Sequence, residues 1–431
     1  MKDYTPVINN PEFRYLWSSQ VLSQVTINIM NFLLLIRLFN ETGSPIATSM
    51  LWVAYALPAI LIGPVAAAYV DMVDRRKMLM ITNILQAVTI FLFAVSHKES
   101  VFLLYGVAML YSLLNQFYVP AEQASLPAIV RKNYLAHANG LFFLTQQVAI
   151  VLGFGFAGLL FKTIGFTLSL YLCTFLLFLA FVSVSFLKEM KTSDSVPRSV
   201  EKAIIKFFER IIQGYRFIKD NHSILAPFVL LMSSQVSLTV VVVNIPIIAK
   251  QIFLIGTEFA GVAVAVPAGI GASVAALLIP KLLKTGTRKM KVIGSSLVTI
   301  AFSLIVASLI IPEIGNDFLR ILVGVLTTIM IGAAFMGLII PSQTFLQEKT
   351  PGGMRGRVFG NYWFMVAIAT VFPVIFSGTV AELFGVRVLL ILLAAVAFFG
   401  VFSFRRYGQR VLEEGFYFIP KINGNGKDKD E

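Results

Sequence analysis

Long apolar runs recur along the whole chain, and short polar stretches separate them. Each run is about as long as the roughly 20 residues that a helix needs to cross the hydrocarbon core of a bilayer. The pattern therefore predicts an all-α integral membrane protein with twelve transmembrane helices. The predicted spans are Phe13–Phe39, Ile46–Val70, Met78–Val95, Val101–Ala121, Ala138–Phe161, Phe166–Leu187, Ile224–Ala249, Phe259–Ile279, Val292–Ile311, Phe318–Phe345, Val358–Leu383 and Val388–Phe404.

The longest polar stretch separates the first six predicted spans from the last six. Within it, Ile204, Phe208, Ile211 and Tyr215 recur at spacings of three and four, which predicts an amphipathic helix on the inner membrane surface. This helix can serve as a spacer and anchor or as a regulatory element. The expected parts of the chain are an N-terminal six-helix bundle (1–187), a linker (188–222), a C-terminal six-helix bundle (223–404) and a cytoplasmic tail (405–431).

The composition supports a membrane protein and excludes other classes. Hydrophobic residues make up 57% of the chain and charged residues only 13%, about half the charged share of a soluble domain. A soluble globular enzyme, a disordered chain and a collagen-like fibre are therefore excluded. Because the chain has one cysteine, Cys173, and three widely spaced histidines, we expect neither an intrachain disulfide nor a metal centre. No cofactor is predicted, and neither a nucleophile–base pair nor a phosphate-binding glycine loop indicates an enzyme.

Positive charge is concentrated on one side of the predicted spans. The formal net charge is +13, and 29 of the 35 lysine and arginine residues fall in segments on the same side as the N-terminus. Because basic residues are enriched in cytoplasmic loops, both termini are predicted to be cytoplasmic. The basic loops then face anionic lipid headgroups, which accounts for the charge without a nucleic-acid partner.

The two predicted bundles resemble each other in sequence. Residues 53–59 match residues 262–268 at an offset of 209, and Gly140, Gly158 and Gly165 match glycines 220 positions later. Each offset corresponds to six spans with their loops. A parallel repeat of two six-helix halves is typical of transporters, which bind substrate between the halves near the middle of the membrane.

The loop after the second span carries charged residues in a recognisable order. Residues 67–77 read Ala-Ala-Tyr-Val-Asp71-Met-Val-Asp74-Arg75-Arg76-Lys77. This loop resembles the Gly-x-x-x-Asp-Arg-x-Gly-Arg-Arg signature of the major facilitator superfamily, although both glycines and the first arginine of the pattern are replaced. Residues 10–17, 126–140 and 351–358 also look like the macrolide-efflux and enterobactin-exporter branch of that superfamily.

The resemblance implies a set of gating residues. They are Asp71, Asp74, Arg75, Arg76, Lys77, Glu122 and Arg355. In the family, the acid corresponding to Asp71 latches onto the start of the eleventh helix, here near residues 353–358, when the cytoplasmic side is closed. Arg75 or Arg76 could pair with Glu122, and the basic residues can instead serve only to set topology. Pro280 aligns with Asp71 in the second half, so the latch is expected in the first half only.

The first predicted helix carries a row of amides. Gln20, Gln24, Asn28 and Asn31 are spaced by four, four and three residues, which places them on one face. Amides in hydrocarbon are costly unless they find partners or face a cavity, so this face can line a substrate cavity or form hydrogen bonds between helices. Further cavity candidates are Asn115, Gln146, Gln147, Gln235, Asn244, Asn361 and Trp363.

Charged residues are not evident at mid-membrane in the predicted spans, whereas phenylalanine is abundant, with 38 residues. A neutral cavity lined by amides and aromatic rings suits a bulky amphiphilic substrate. The expected function is export of a drug, macrolide or siderophore by alternating access. The resemblance implies that protons drive this export. An importer or facilitator of a small metabolite on the same fold and a non-transporting membrane sensor are the alternatives. We expect a monomer in a bacterial plasma membrane.

Overall fold

A computed structural model of the protein describes residues 5–70, 72–96, 100–190, 200–285 and 288–416. These residues are almost entirely helical and include no β-strand. The α-helices are α1 (Thr5–Ile8), α2 (Pro11–Thr42), α3 (Pro45–Val70), α4 (Arg75–Ser96), α5 (Phe102–Ile129), α6 (Leu135–Thr163), α7 (Gly165–Ser185), α8 (Val200–Asp220), α9 (His222–Val243), α10 (Ile245–Ile248), α11 (Val266–Lys284), α12 (Lys289–Ile305), α13 (Asp317–Lys349), α14 (Gly352–Phe384) and α15 (Val386–Phe416).

The expected number of spans is confirmed. Among the described residues, eleven helical stretches are long and apolar enough to cross a membrane, and the shorter apolar helix Val386–Phe402 supplies the twelfth. The last helix differs from the prediction, because α15 continues as a helix to Phe416, past the expected end at Phe404.

Irregular helical segments lie in the second half of the chain. The seventh predicted span breaks at Asn244 into α9 and α10, because Pro246 lacks an N–H group and its ring conflicts with a preceding helical carbonyl. Three π-helical segments follow in the seventh, eighth and ninth spans. They are Ala249–Phe253, Gly261–Ala265 and Val306–Ile310.

Successive spans run in opposite directions. We call the end of the bundle where α2 begins the base, and the opposite end the far end. Close to the far end, side chains from both halves share one core, in which Phe32 and Leu34 of α2 are buried together with Ile248, Phe253 and Leu390. Packing of these side chains therefore joins the two halves at the far end.

The sequence repeat is visible in the backbone. Gly165 lies at the turn between α6 and α7 with a φ of 81°, and Gly385 lies at the turn between α14 and α15 with a φ of 83°. Both angles fall in the left-handed region that glycine adopts without strain. The two glycines are 220 residues apart, so each half places a glycine with positive φ between its fifth and sixth spans.

In the described part of the linker, Val200–Asp220 forms the helix α8. It packs against α14 and also contacts α3. Asn361 Nδ2 of α14 donates a hydrogen bond to the Ile211 carbonyl at 2.9 Å, and a Cβ on Gly214 would lie 2.8 Å from the Arg357 carbonyl oxygen. Since α3 and α14 belong to different halves, α8 lies against both. Its place relative to the membrane stays a prediction.

Candidate substrate cavity and gating elements

The described side chains of the charged motif (residues 67–77) contact three helices of the first half: the start of α4 and the ends of α5 and α7. Asp74 precedes α4, and its Oδ1 accepts a hydrogen bond from the Lys77 backbone N–H at 3.3 Å. Arg75 Nη1 donates to the Ala124 carbonyl near the end of α5 at 3.0 Å, and Arg76 Nη2 donates to the Ser185 carbonyl at the end of α7 at 2.6 Å. Carbonyl groups at helix C-termini carry partial negative charge, so both contacts are favourable.

Two further gating candidates cannot be placed. Asp71 lies outside the described residues, and the side chain of Arg355 does as well. The Lys77 side chain is exposed. The latch role of Asp71 and Arg355 and the topological role of Lys77 stay predictions.

The pairing that the sequence allows, between Glu122 and a motif arginine, is not formed among the described residues. The Glu122 side chain is 4% exposed, and its Oε1 accepts a hydrogen bond from the Tyr118 hydroxyl at 3.0 Å. The arginines instead bind carbonyl oxygens at helix ends. Glu122 does not meet the arginines because its side chain faces Tyr118, one helical turn away on the same face of α5. Arg75 instead reaches the α5 backbone closer to the end of the helix.

A buried polar network extends from Glu122 across three helices. The Tyr118 hydroxyl lies 3.5 Å from Ser19 Oγ of α2, and Ser19 Oγ accepts a hydrogen bond from Asn83 Nδ2 of α4 at 3.1 Å. In the order Asn83, Ser19, Tyr118, Glu122, each group can donate to the next. All four residues are almost fully buried. We therefore call Asn83, Ser19, Tyr118 and Glu122 the Glu122 network.

Several buried polar atoms beside this network have no hydrogen-bonding partner among the described residues. They include Asn83 Oδ1 and both amide atoms of Gln86. A buried polar group without a partner costs roughly 1–3 kcal/mol. Such groups call for an explanation, such as an ordered water or a functional role, and their clustering makes the interior of the first half a candidate functional region.

The amide row on α2 is only partly open. Gln24, Asn28 and Asn31 are half-buried. The Asn31 side chain faces the Tyr55 hydroxyl of α3, and Asn115 of α5 faces the same hydroxyl. Neutral polar groups of three helices therefore meet at Tyr55, which makes this place the candidate cavity wall in the first half.

Three other amides pack between helices. Gln20 is 3% exposed and donates to the Phe142 carbonyl of α6 at 3.0 Å. Asn244 donates to Ser377 Oγ at 3.1 Å, and Asn361 binds the linker helix. These positions differ from the cavity expectation and match the interhelical alternative, because each amide finds a partner on an adjacent helix.

The remaining cavity candidates are accessible to differing degrees. Gln235 is half-buried, whereas Gln146 and Gln147 are exposed on α6 and Trp363 is exposed on α14. Their role in a cavity stays a prediction. Sequence reasoning missed Tyr55 and Tyr118, although Tyr118 lies four residues before Glu122 and spacing alone could have paired them.

Backbones from the two halves approach closely at the far end. A Cβ on Gly158 of α6 would lie 1.9 Å from the Glu258 carbonyl oxygen, so only glycine fits there. Thr257 Oγ1 donates to Asn40 Oδ1 at 2.7 Å, and the Ile46 backbone N–H donates to Glu382 Oε2 at 3.1 Å. The two halves are therefore closed against each other at this end.

The profile of the Major Facilitator Superfamily matches residues 16–373. The chain belongs to the major facilitator superfamily. It is similar to the uncharacterized MFS-type transporter YfiS of Bacillus subtilis, with 23% identity over 391 residues that cover 89% of this chain and 90% of the relative. It is also similar to macrolide efflux protein A of Streptococcus pyogenes, with 23% identity over 386 residues that cover 87% of this chain and 91% of the relative.

Solved structures of membrane transporters share the fold. The crystal structure of the nucleoside transporter NupG has a TM-score of 0.70 at 13% identity and covers 91% of this chain and 98% of NupG. The POT family transporter PepTSo has a TM-score of 0.71 at 12% identity, with 94% and 99% of the two chains covered. As a member of the major facilitator superfamily, the protein is a multi-pass membrane transporter and not an enzyme.

Proposed function

We propose that the protein exports amphiphilic small molecules, such as a macrolide, another drug or a siderophore, from a bacterial cell in exchange for protons. The similarity to macrolide efflux protein A, which extends over most of both chains, supports this substrate class. The transporter works as a monomer, and its two halves rock about a cavity between them. Closure at the far end represents one of the two states of that cycle.

The neutral character of the candidate cavity carries the proposal. Asn31, Asn115 and Tyr55 offer hydrogen-bond donors and acceptors without a formal charge. Pockets for amphiphilic ligands combine apolar walls with a few polar groups that fix orientation. A large substrate with scattered hydroxyl and carbonyl groups suits such a wall better than a small ion does.

Glu122 is the proposed proton-binding residue. A carboxylate inside a membrane bundle is costly and is typically retained for function. Protonation removes the buried negative charge, and the Tyr118 hydroxyl and its network remain to hold the side chain in place. Binding and release of a proton at Glu122 therefore changes the charge inside the first half, which couples a proton gradient to the rocking of the halves.

The proposed topology places the base in the cytoplasm and the far end outside. The excess of basic residues in the segments at the base supports this orientation. In this orientation α8 lies at the inner surface of the membrane, where its exposed residues Phe208, Ile212 and Tyr215 contact lipid.

Uptake into inside-out vesicles tests the proposal. Macrolides, dyes and siderophores are offered to vesicles with an acidic interior, and uptake of at least one amphiphile is expected to stop when a protonophore dissipates the gradient. Vesicles with the Glu122→Gln variant serve as the comparison. Uptake of only small hydrophilic metabolites, or uptake that is unaffected by the protonophore, would contradict the proposal.

A further inference from the structure

The start of α3 is capped by a residue from the opposite half. The α2 helix ends at Thr42 and α3 begins at Pro45, so only Gly43 and Ser44 separate the two helices. Ser44 Oγ accepts a hydrogen bond from the Ala47 N–H at 3.2 Å, as a helix N-cap does. The Ile46 N–H, which has no acceptor within the helix because it lies in the first turn, donates to Glu382 Oε2 at 3.1 Å.

The Ser44 hydroxyl also donates to Glu382 Oε2. One carboxylate, from the last turn of α14, therefore completes the cap of α3. A negative charge at a helix N-terminus is favourable because the free N–H groups there carry partial positive charge.

The contact is possible only when the two halves are close together. Beside Glu382, one turn earlier on α14, Gly378 packs against the start of α3, and a Cβ there would lie 2.8 Å from the Pro45 carbonyl oxygen and 2.3 Å from Ser49 Oγ. Ser49 is fully buried in this contact. Separation of α3 from α14 at the far end removes the carboxylate from the helix start and exposes Ser49.

We propose that Glu382 is the latch of the far-end gate. Its carboxylate stabilises the closed state by capping α3 and is released each time the far end opens. The inference rests on alternating access and not on the proposed substrate or on proton drive. Glu382 is exposed to solvent, where such contacts are modest, and a modest contact suits a latch that must open in every cycle.

Cysteine labelling measures the open fraction directly. Ser49→Cys places a thiol that is buried in the closed state, and the natural Cys173 is fully buried and gives a low background. The protein is placed in lipid nanodiscs, where both ends are accessible, and the rate of reaction with a hydrophilic maleimide is recorded. The measurement requires neither a substrate nor a gradient, so its result is independent of the test of the proposed function.

Glu382→Ala is expected to raise the labelling rate about fivefold, the size of a typical N-cap effect. Glu382→Gln keeps an acceptor without the charge and should give an intermediate rate. Glu41→Ala is the matched control, because Glu41 lies on α2 at the same end and pairs only with Arg37 of its own helix among the described residues. Its labelling rate should equal that of the Ser49→Cys parent.

Ser44→Ala provides a second and independent test. It removes the hydroxyl that binds Glu382. Because the effects of residues in contact are not additive, the Ser44→Ala, Glu382→Ala double variant should label no more than about twofold faster than Glu382→Ala alone. Rates for Glu382→Ala equal to the Glu41→Ala control would overturn the proposal. If Glu382→Ala gives no monodisperse protein, the Ser44→Ala rate decides: an increase supports the latch, and an unchanged rate excludes it.

Discussion

The two halves touch at the far end in two equivalent places. Gly158 of α6 lies against the Glu258 carbonyl, and Gly378 of α14 lies against Ser49 and the backbone beside it. The glycines are 220 residues apart, and their partners are 209 residues apart, which are the offsets of the sequence repeat. The close approach of two backbones is thus shared by both halves, because it depends on shape alone.

The side chains next to these contacts differ in chemistry. Glu382 caps the start of α3, whereas Lys162, which is 220 residues earlier, lies with its Nζ 4.1 Å from the ring centre of Phe259. One contact uses an anion at a helix start and the other a cation over an aromatic ring. The repeat therefore preserves the positions at which the halves meet and leaves the chemistry at these positions free to diverge.

The same asymmetry extends into the interior. The first half buries a carboxylate in the Glu122 network. In the described part of the second half, the buried charged side chain is Arg320, which binds the Phe253 carbonyl and Asp317 close to the far end. We therefore expect proton chemistry in the first half only.

The largest effect is expected from Glu122→Gln. Because glutamine cannot bind and release a proton, gradient-driven uptake into vesicles should fall to the level of empty vesicles, while binding of substrate to the purified protein remains. The matched control is Glu348→Gln in the second half, where Glu348 forms a surface ion pair with Lys289. Such pairs contribute little, so this control should transport normally. Normal uptake by Glu122→Gln would place the proton site elsewhere.

A large effect is also expected from Asp71→Asn. The resemblance assigns Asp71 to the latch at the base of the bundle. Loss of this coupling contact should lower the transport rate about twentyfold while the protein still folds. Initial uptake rates at equal protein amounts measure the loss. Pro280→Ala, at the aligned position of the second half, should change the rate little because no acid is present there. Equal effects at both positions would show that the halves share the latch.

Alanine substitutions at the two equivalent glycines are expected to destabilise the closed far end to different degrees. Gly158→Ala places a methyl group 1.9 Å from a backbone carbonyl that cannot turn away, whereas Gly378→Ala mainly meets the Ser49 side chain. Overpacking at Gly158 should destabilise the closed state by about 1.5 kcal/mol and so raise the open fraction at the far end about tenfold, as measured by labelling of Ser49→Cys. Gly140→Ala on the same helix, with open space around it, should leave the labelling rate unchanged.

The sequence predicts the spans and the repeat well, because a bilayer requires a fixed apolar length and because glycine is needed at Gly165 and Gly385 for backbone reasons. It does not predict which neighbour an amide meets. The spacing of Gln20 and Asn28 places both on one face of α2, yet Gln20 is buried against α6 and Asn28 is half-open. Spacing along one helix fixes direction around its own axis, and only the packed bundle decides what lies in that direction.

The smallest effect is expected from Lys162. A cation over an aromatic ring at an exposed site contributes about 0.5–1 kcal/mol, so Lys162→Met should raise the Ser49→Cys labelling rate only about threefold, less than Glu382→Ala. Lys162→Arg keeps the cation and should label at the parent rate. A higher labelling rate for Lys162→Met than for Glu382→Ala would make the cation–ring contact the stronger of the two equivalent contacts. Lys162, and not Glu382, would then contribute more to closure of the far end.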